Sequence, residues 1–233
     1  MSRTVMAGGV ERRYQVYVPA GHDPARNWPV VLFLHGAGER GDDAERPVQV
    51  GLGPAILRDP AFPAIVVFPQ AAPDSAWYGV EAEMALAALE ATVRELNGDR
   101  GRLYLSGLSM GGYGALRMAV DHPDLFAAVA VVCGGAVAPA SRPYLRWRNV
   151  PADTSLHDWA AARLRETPVW LFHGALDDVI PAEESRRVAA ALEAAGAPVR
   201  YTEYPDANHN AWDRAYAERG LWEWMFRKGR VGG

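Results

Sequence analysis

The sequence predicts an α/β domain, a mostly parallel sheet with helices on both faces, and three observations lead there. Residues 29–34 (PVVLFL), 64–68 (AIVVF) and 126–132 (FAAVAVV) are apolar throughout. Strands buried on both faces read this way, whereas a strand with one wet face alternates. Such runs also take turns with longer helical patterns along the chain. Finally, 233 residues at 49% hydrophobic and 22% charged supply one sizeable core and argue against disorder. With no internal repeat and no linker, residues 1–233 are expected to form a single domain.

Taken in order, residues 14–18 alternate and stop at Pro19, as an antiparallel edge strand would. The buried strand 29–34 runs into a glycine-rich loop, His35-Gly36-Ala37-Gly38-Glu39-Arg40-Gly41, and a short helix is expected near 54–57. Strand 64–68 leads to a loop with Trp77 and Tyr78. Residues 81–96 read as a helix: Leu86, Leu89, Val93 and Leu96 share a face, glutamates sit in the first turn, and Asn97-Gly98 ends it. Strand 103–105 precedes a helix over 113–120, which stops before Pro123. Strand 126–132 is closed by Gly134-Gly135, and residues 136–152 are irregular around Pro139, Pro143 and Pro151. A helix over 155–165, strand 169–172, a helix opened by Pro181 and closed by Gly196, strand 199–204 and a terminal helix over 212–226 complete the pattern.

Composition excludes several classes of function. A net charge of −4 without a basic stripe argues against nucleic acid as a partner. Cys133 is the single cysteine, so no internal disulfide forms, and its place after four apolar residues reads as a buried strand end. No stretch is apolar enough to span a membrane. Residues 1–6 lack the apolar core of a secretory signal, so the cytoplasm is the default expectation, with a secreted origin as the open alternative.

The chemistry centres on Gly107-Leu108-Ser109-Met110-Gly111-Gly112, placed between a strand and a helix. A serine at a sharp strand-to-helix turn needs neighbours without side chains at −2 and +2, where Cβ atoms would collide. The strain lifts Oγ above the sheet and aims the first helical amide at an incoming acyl oxygen. Serine also needs a base, and the base needs an orienting acid. In such sheets reactive groups collect at the carboxyl ends of strands. Three loops there carry Ser109, then Asp177 and Asp178, then His209, the chain order expected for this kind of elbow. His209 is the expected base, because it alone among six histidines sits after the last strand and before a closing helix. His35 and His173, each before a glycine at a strand end, are read as loop-fixing. Asp177 is favoured as the acid, with Asp178 open as the alternative or as a local cap, and Asp206 is read as a turn former. The amides of Ala37 and Met110 are the expected oxyanion donors. The histidines lack ligand spacing, so no metal and no cofactor are expected.

Four motifs together resemble the α/β-hydrolase superfamily: the loop 35–41, the elbow 107–112, His173-Gly174-Ala175-Leu176-Asp177-Asp178-Val179-Ile180-Pro181, and 204–212 around His209. Within it the chain is similar to carboxylesterases, feruloyl and acetylxylan esterase-like enzymes, polyhydroxybutyrate-depolymerase-like esterases and predicted peptidases. The resemblance covers about 14–226 and implies an α/β-hydrolase fold with Ser109, Asp177 and His209 as nucleophile, acid and base. It implies residues 136–152 as a minimal lid over an open cleft. Trp77 and Trp212 are the expected substrate-binding aromatics, since both flank loops that should meet at Ser109. The expected partner is a small or polymer-borne ester, the expected reaction hydrolysis of short-chain or aryl esters; a peptidase and a non-catalytic module are the alternatives.

Overall fold

A computed structural model describes residues 1–230. Its centre is an eight-stranded sheet: β1 (Ser2–Ala7), β2 (Val10–Tyr17), β3 (Trp28–Leu34), β4 (Ile65–Pro69), β5 (Gly98–Leu108), β6 (Ala128–Val132), β7 (Val169–Gly174) and β8 (Val199–Tyr204). The spatial order is β1-β2-β4-β3-β5-β6-β7-β8. β1 pairs antiparallel with β2, and β2 antiparallel with β4; every other pairing is parallel. The sheet is open, and its two central parallel neighbours are β3 and β5.

Among the described residues seven α-helices cover it: α1 (Leu52–Leu57), α2 (Val80–Glu95), α3 (Met110–Asp121), α4 (Leu156–Arg163), α5 (Glu183–Ala194), α6 (Trp212–Ala217) and α7 (Arg219–Phe226). The strands' continuous apolar runs resolve into two cores by parity. Val30, Leu32, Leu34, Leu103, Leu105, Val129 and Val131 pack under α2, α3, α4 and α5. Val31, Phe33, Tyr104, Ala128, Ala130 and Val132 face α1, α6 and α7. Period-2 alternation thus persists, but both faces are dry.

Three expectations are corrected. β2 is antiparallel but not an edge, because β1 pairs along its outer side. β1 carries Arg3 and Thr4 and exposes alternate residues, so its apolar signal is weak. The face of α2 that packs inward is built from Met84, Ala85, Ala88, Leu89, Thr92 and Val93; Leu86 and Leu96 are only half-buried. The terminal helix is two. Glu218 is extended (ψ 111°) between α6 and α7, and its carboxylate accepts from the Tyr204 hydroxyl at 2.7 Å. The break lets Tyr216 on one segment and Leu221 and Met225 on the other all reach the sheet.

Candidate active site

The strand β5 ends at Leu108, α3 begins at Met110, and Ser109 alone makes the turn, with φ 52° and ψ −116°. That is a costly backbone for a residue with a side chain, of the order of 1–3 kcal/mol. The glycine requirement is visible in the surroundings. A Cβ on Gly107 would stand 2.1 Å from the Gly111 carbonyl oxygen, and one on Gly111 would stand 1.9 Å from that of Leu34. The elbow therefore closes directly on the end of β3. Ser109 N–H donates to the Val132 carbonyl at 2.9 Å, which ties the turn to β6 as well.

His209 sits in the loop between β8 and α6, with Nε2 3.0 Å from Ser109 Oγ and Nδ1 2.7 Å from Asp177 Oδ2. A carboxylate only accepts, so Nδ1 carries the proton and Nε2 presents its lone pair to the hydroxyl. Asp177, just past β7, has a fully buried side chain, whereas the His209 side chain is 17% accessible. Burial works against charge on Asp177, but hydrogen bonds from His173 and His209 and from the Ile180 amide outweigh it. The carboxyl is held well below the usual carboxylate range. Asp177 also does the local capping expected of its neighbour: Oδ1 accepts from the amides of Val179 and Ile180, each at 2.9 Å. Asp178 is exposed, and Asp206 pairs with Arg214 on the surface. Cys133 is buried at the end of β6 as expected, with φ 41° and a thiol raised by burial; its Sγ lies within 4.8 Å of ligand atoms of Asp177 and His209.

The loop after β3 lies against the elbow. A Cβ on Gly36 would touch Ser109 Cβ at 3.7 Å and Leu108 Cδ1 at 2.8 Å. Ala37 opens a 3-10 turn, Ala37–Glu39, and neither its amide nor that of Met110 donates to a protein acceptor among the described residues. N–H groups left without a protein acceptor are the donor type that an anionic oxygen takes. The loop is held from behind. His35 is buried, its Nδ1 2.6 Å from the Gly36 carbonyl, while its Nε2 accepts from the Ala71 amide at 3.0 Å. Burial keeps the ring neutral by lowering its pKa to about 4. Arg40 donates to the carbonyls of Ala37 and Ser75 and lies over the Tyr144 ring.

The aromatic expectations divide. Trp77 is 2% exposed, and its indole N–H donates to the His35 carbonyl at 2.9 Å, so it anchors the 35–37 loop. It also lines a cavity of about 380 Å³ beside Met110, shared with Tyr78, Tyr113, Trp147 and Arg148. Trp212 does not line that cavity; it packs edge-on against His209 at 5.4 Å between ring centroids. Tyr113 and Arg148 escaped sequence reading because a helix interior and an irregular segment give no period that points to a cleft. Residues 136–152 are strapped down: Val137 N–H donates to Glu184, the Tyr113 hydroxyl to the Val137 carbonyl, and Arg117 to the Arg148 carbonyl.

Residues 71–229 match the prolyl oligopeptidase family. The putative esterase NocK of Nocardia uniformis subsp. tsuyamanensis is 33% identical over 150 residues, covering 59% of this chain and 42% of the relative. A probable chloroplastic glutamyl endopeptidase of Arabidopsis thaliana is 27% identical, covering 96% of this chain and 26% of its own length. A thermostable esterase of known structure superposes with a TM-score of 0.83 at 30% identity, over 99% of this chain and 63% of that one. The chain spans 22% to 42% of the length of the curated relatives it matches. With an open, mostly parallel sheet, a serine elbow and a match over residues 71–229, the chain belongs to the prolyl oligopeptidase family and has the α/β-hydrolase fold.

Proposed function

We propose that the protein is a carboxylesterase acting on short-chain or aryl esters through an acyl-enzyme on Ser109. The observation that carries this reading is the unbroken relay from Asp177 to His209 to Ser109, at 2.7 and 3.0 Å, on a strained elbow beside two free amides. His209 Nε2 takes the hydroxyl proton as Oγ attacks the ester carbonyl carbon. The carbonyl π pair moves to oxygen, and the oxyanion accepts from the Ala37 and Met110 amides. Asp177 holds the tautomer and stabilises the imidazolium, which then gives its proton to the departing alkoxide. Water repeats the sequence on the acyl-enzyme and restores the serine.

An ester is favoured by the esterase neighbour that superposes over nearly the whole chain, and by the aromatic cavity bordering Met110. Hydrolysis of nitrophenyl acetate, nitrophenyl butyrate and an aryl-acyl series should be measured beside Ser109→Ala. The variant is expected to lose at least about 10⁴-fold in kcat. Undiminished turnover by Ser109→Ala would refute the assignment. A second reading, peptide hydrolysis, has the family match and the glutamyl endopeptidase relative in its favour; cleavage across a peptide library decides it. A stoichiometric fluorophosphonate adduct on Ser109 disposes of a non-catalytic module.

A further inference from the structure

Behind Asp177 stands a second imidazole that acyl transfer does not use. His173, near the end of β7, is fully buried. Its Nε2 lies 3.1 Å from Asp177 Oδ2 and 3.0 Å from the Ile180 carbonyl oxygen. Both partners only accept, so Nε2 carries a proton. Nδ1 faces Ser185 Oγ on α5 at 2.7 Å; that hydroxyl also reaches the Gly134 carbonyl at 3.1 Å. Nε2–H is fixed by its own two acceptors, and the Ser185 hydroxyl, which bonds the Gly134 carbonyl, pins the opposite nitrogen and so turns Nε2–H toward Asp177.

The Asp177 carboxylate is thus saturated. Oδ1 takes two amides, and Oδ2 is shared between N–H donors of two imidazoles, His209 and His173. From this sharing we propose that His173 is a positioning residue: it fixes the plane of the Asp177 carboxylate and limits the hold of Oδ2 on the His209 proton. The inference rests on the reading of Ser109, His209 and Asp177 as the relay. An imidazole suits the place because one nitrogen can be pinned by Ser185 while the other donates. With His173 present, the imidazolium formed at His209 is stabilised by a carboxylate oxygen already partly spent. Without it, Asp177 becomes the stronger acceptor and favours the charged form of His209.

Other ionisable groups facing this pair are already engaged. Glu203 on β8, the register partner of His173, is bound by Arg186 and Tyr201. Glu184 on α5 accepts from Val137 and faces His157. Cys133 and Tyr113, which feel the charge of Asp177, are kept neutral by burial.

The test compares pH profiles of nitrophenyl-ester hydrolysis for wild type, His173→Met, His173→Gln and Ser185→Ala, with thermal unfolding of each. His173→Met is expected to lower kcat about tenfold to a hundredfold with little change in KM. It should also move the acid limb of kcat/KM to higher pH. His173→Gln, whose amide N–H reaches the same oxygen, should recover most of both effects, and Ser185→Ala should move the limb the same way by less. A folded His173→Met with an unmoved limb would overturn the proposal, as would His173→Met and His173→Gln behaving alike. Should His173→Met fail to fold, an unmoved limb in Ser185→Ala overturns it. Fluorophosphonate labelling of wild-type Ser109 separates the two levels. An unlabelled wild type removes the acyl-transfer reading itself, whereas labelling with unmoved limbs removes only the role of His173.

Discussion

Asp177 and Asp178 are adjacent in sequence, yet one is enclosed by four donors and the other stands in water. Exchanging each for asparagine turns that contrast into a measurement. Asp177→Asn is expected to drop kcat by about 10⁴-fold, because an amide at the same place stabilises the wrong His209 tautomer. Asp178→Asn should remain near wild type in the same assay. Sequence reading could rank the two but not separate them, since the direction of a side chain on a tight loop depends on what packs around it. Trp77 teaches the same lesson from the other side. Its place in a loop near Ser109 was legible; its 2% exposure and its bond to the His35 carbonyl were not. Trp77→Phe keeps the ring but strands that carbonyl. A loss of about 1–3 kcal/mol in chemical unfolding is expected, with a fall in kcat as the Ala37 amide loosens.

Between elements, the elbow works because β3, β5 and α3 approach to backbone contact. Gly111→Ala would drive a methyl into the Leu34 and His35 carbonyls, which cannot swing away as a side chain tip would. Destabilisation of at least about 3 kcal/mol, with loss of turnover, is expected from denaturant titration and the ester assay. On the opposite face of β5, the buried Ser106 hydroxyl lies 3.0 Å from the Tyr216 hydroxyl, linking the strand under the nucleophile to α6. Tyr216→Phe leaves Ser106 without its partner and should cost about 1–2 kcal/mol; adding Ser106→Ala should cost less than the two single changes summed. The unfolding midpoints of all four proteins in the cycle check this. The glycine spacing that announces the elbow was readable because backbone contact tolerates a single residue type. The division of the last helix at Glu218 was not, because it depends on Tyr204, fourteen residues earlier and in another element.

For the whole molecule, acid is the condition that exposes how the site is built into the fold. His35 has its pKa lowered to about 4 by burial, against an ordinary 6.5. In the unfolded chain it takes up a proton as pH falls through 6.5; in the native protein it does so only near 4. Stability is therefore unaffected above 6.5, declines across this window and levels off below it, by roughly 3 kcal/mol in all. Asp177 acts in the same sense at still lower pH, since its carboxyl is held below its unfolded value and its contribution is lost as protons arrive. Urea unfolding followed across this range should show the decline, and His35→Gln, with nothing to titrate, should flatten the upper part of it.

By itself the sequence determined the layered architecture, the strand-to-helix elbow and the order in which serine, acid and histidine follow one another. Each of these rests on local steric demands or on burial patterns that a linear reading can follow. Tertiary structure alone decided that β1 closes the sheet edge, that Trp77 braces a loop, and that His173 stands behind Asp177. Those outcomes depend on contacts between residues far apart in the chain, whose partners are fixed only when parallel strands bring their carboxyl ends to one rim.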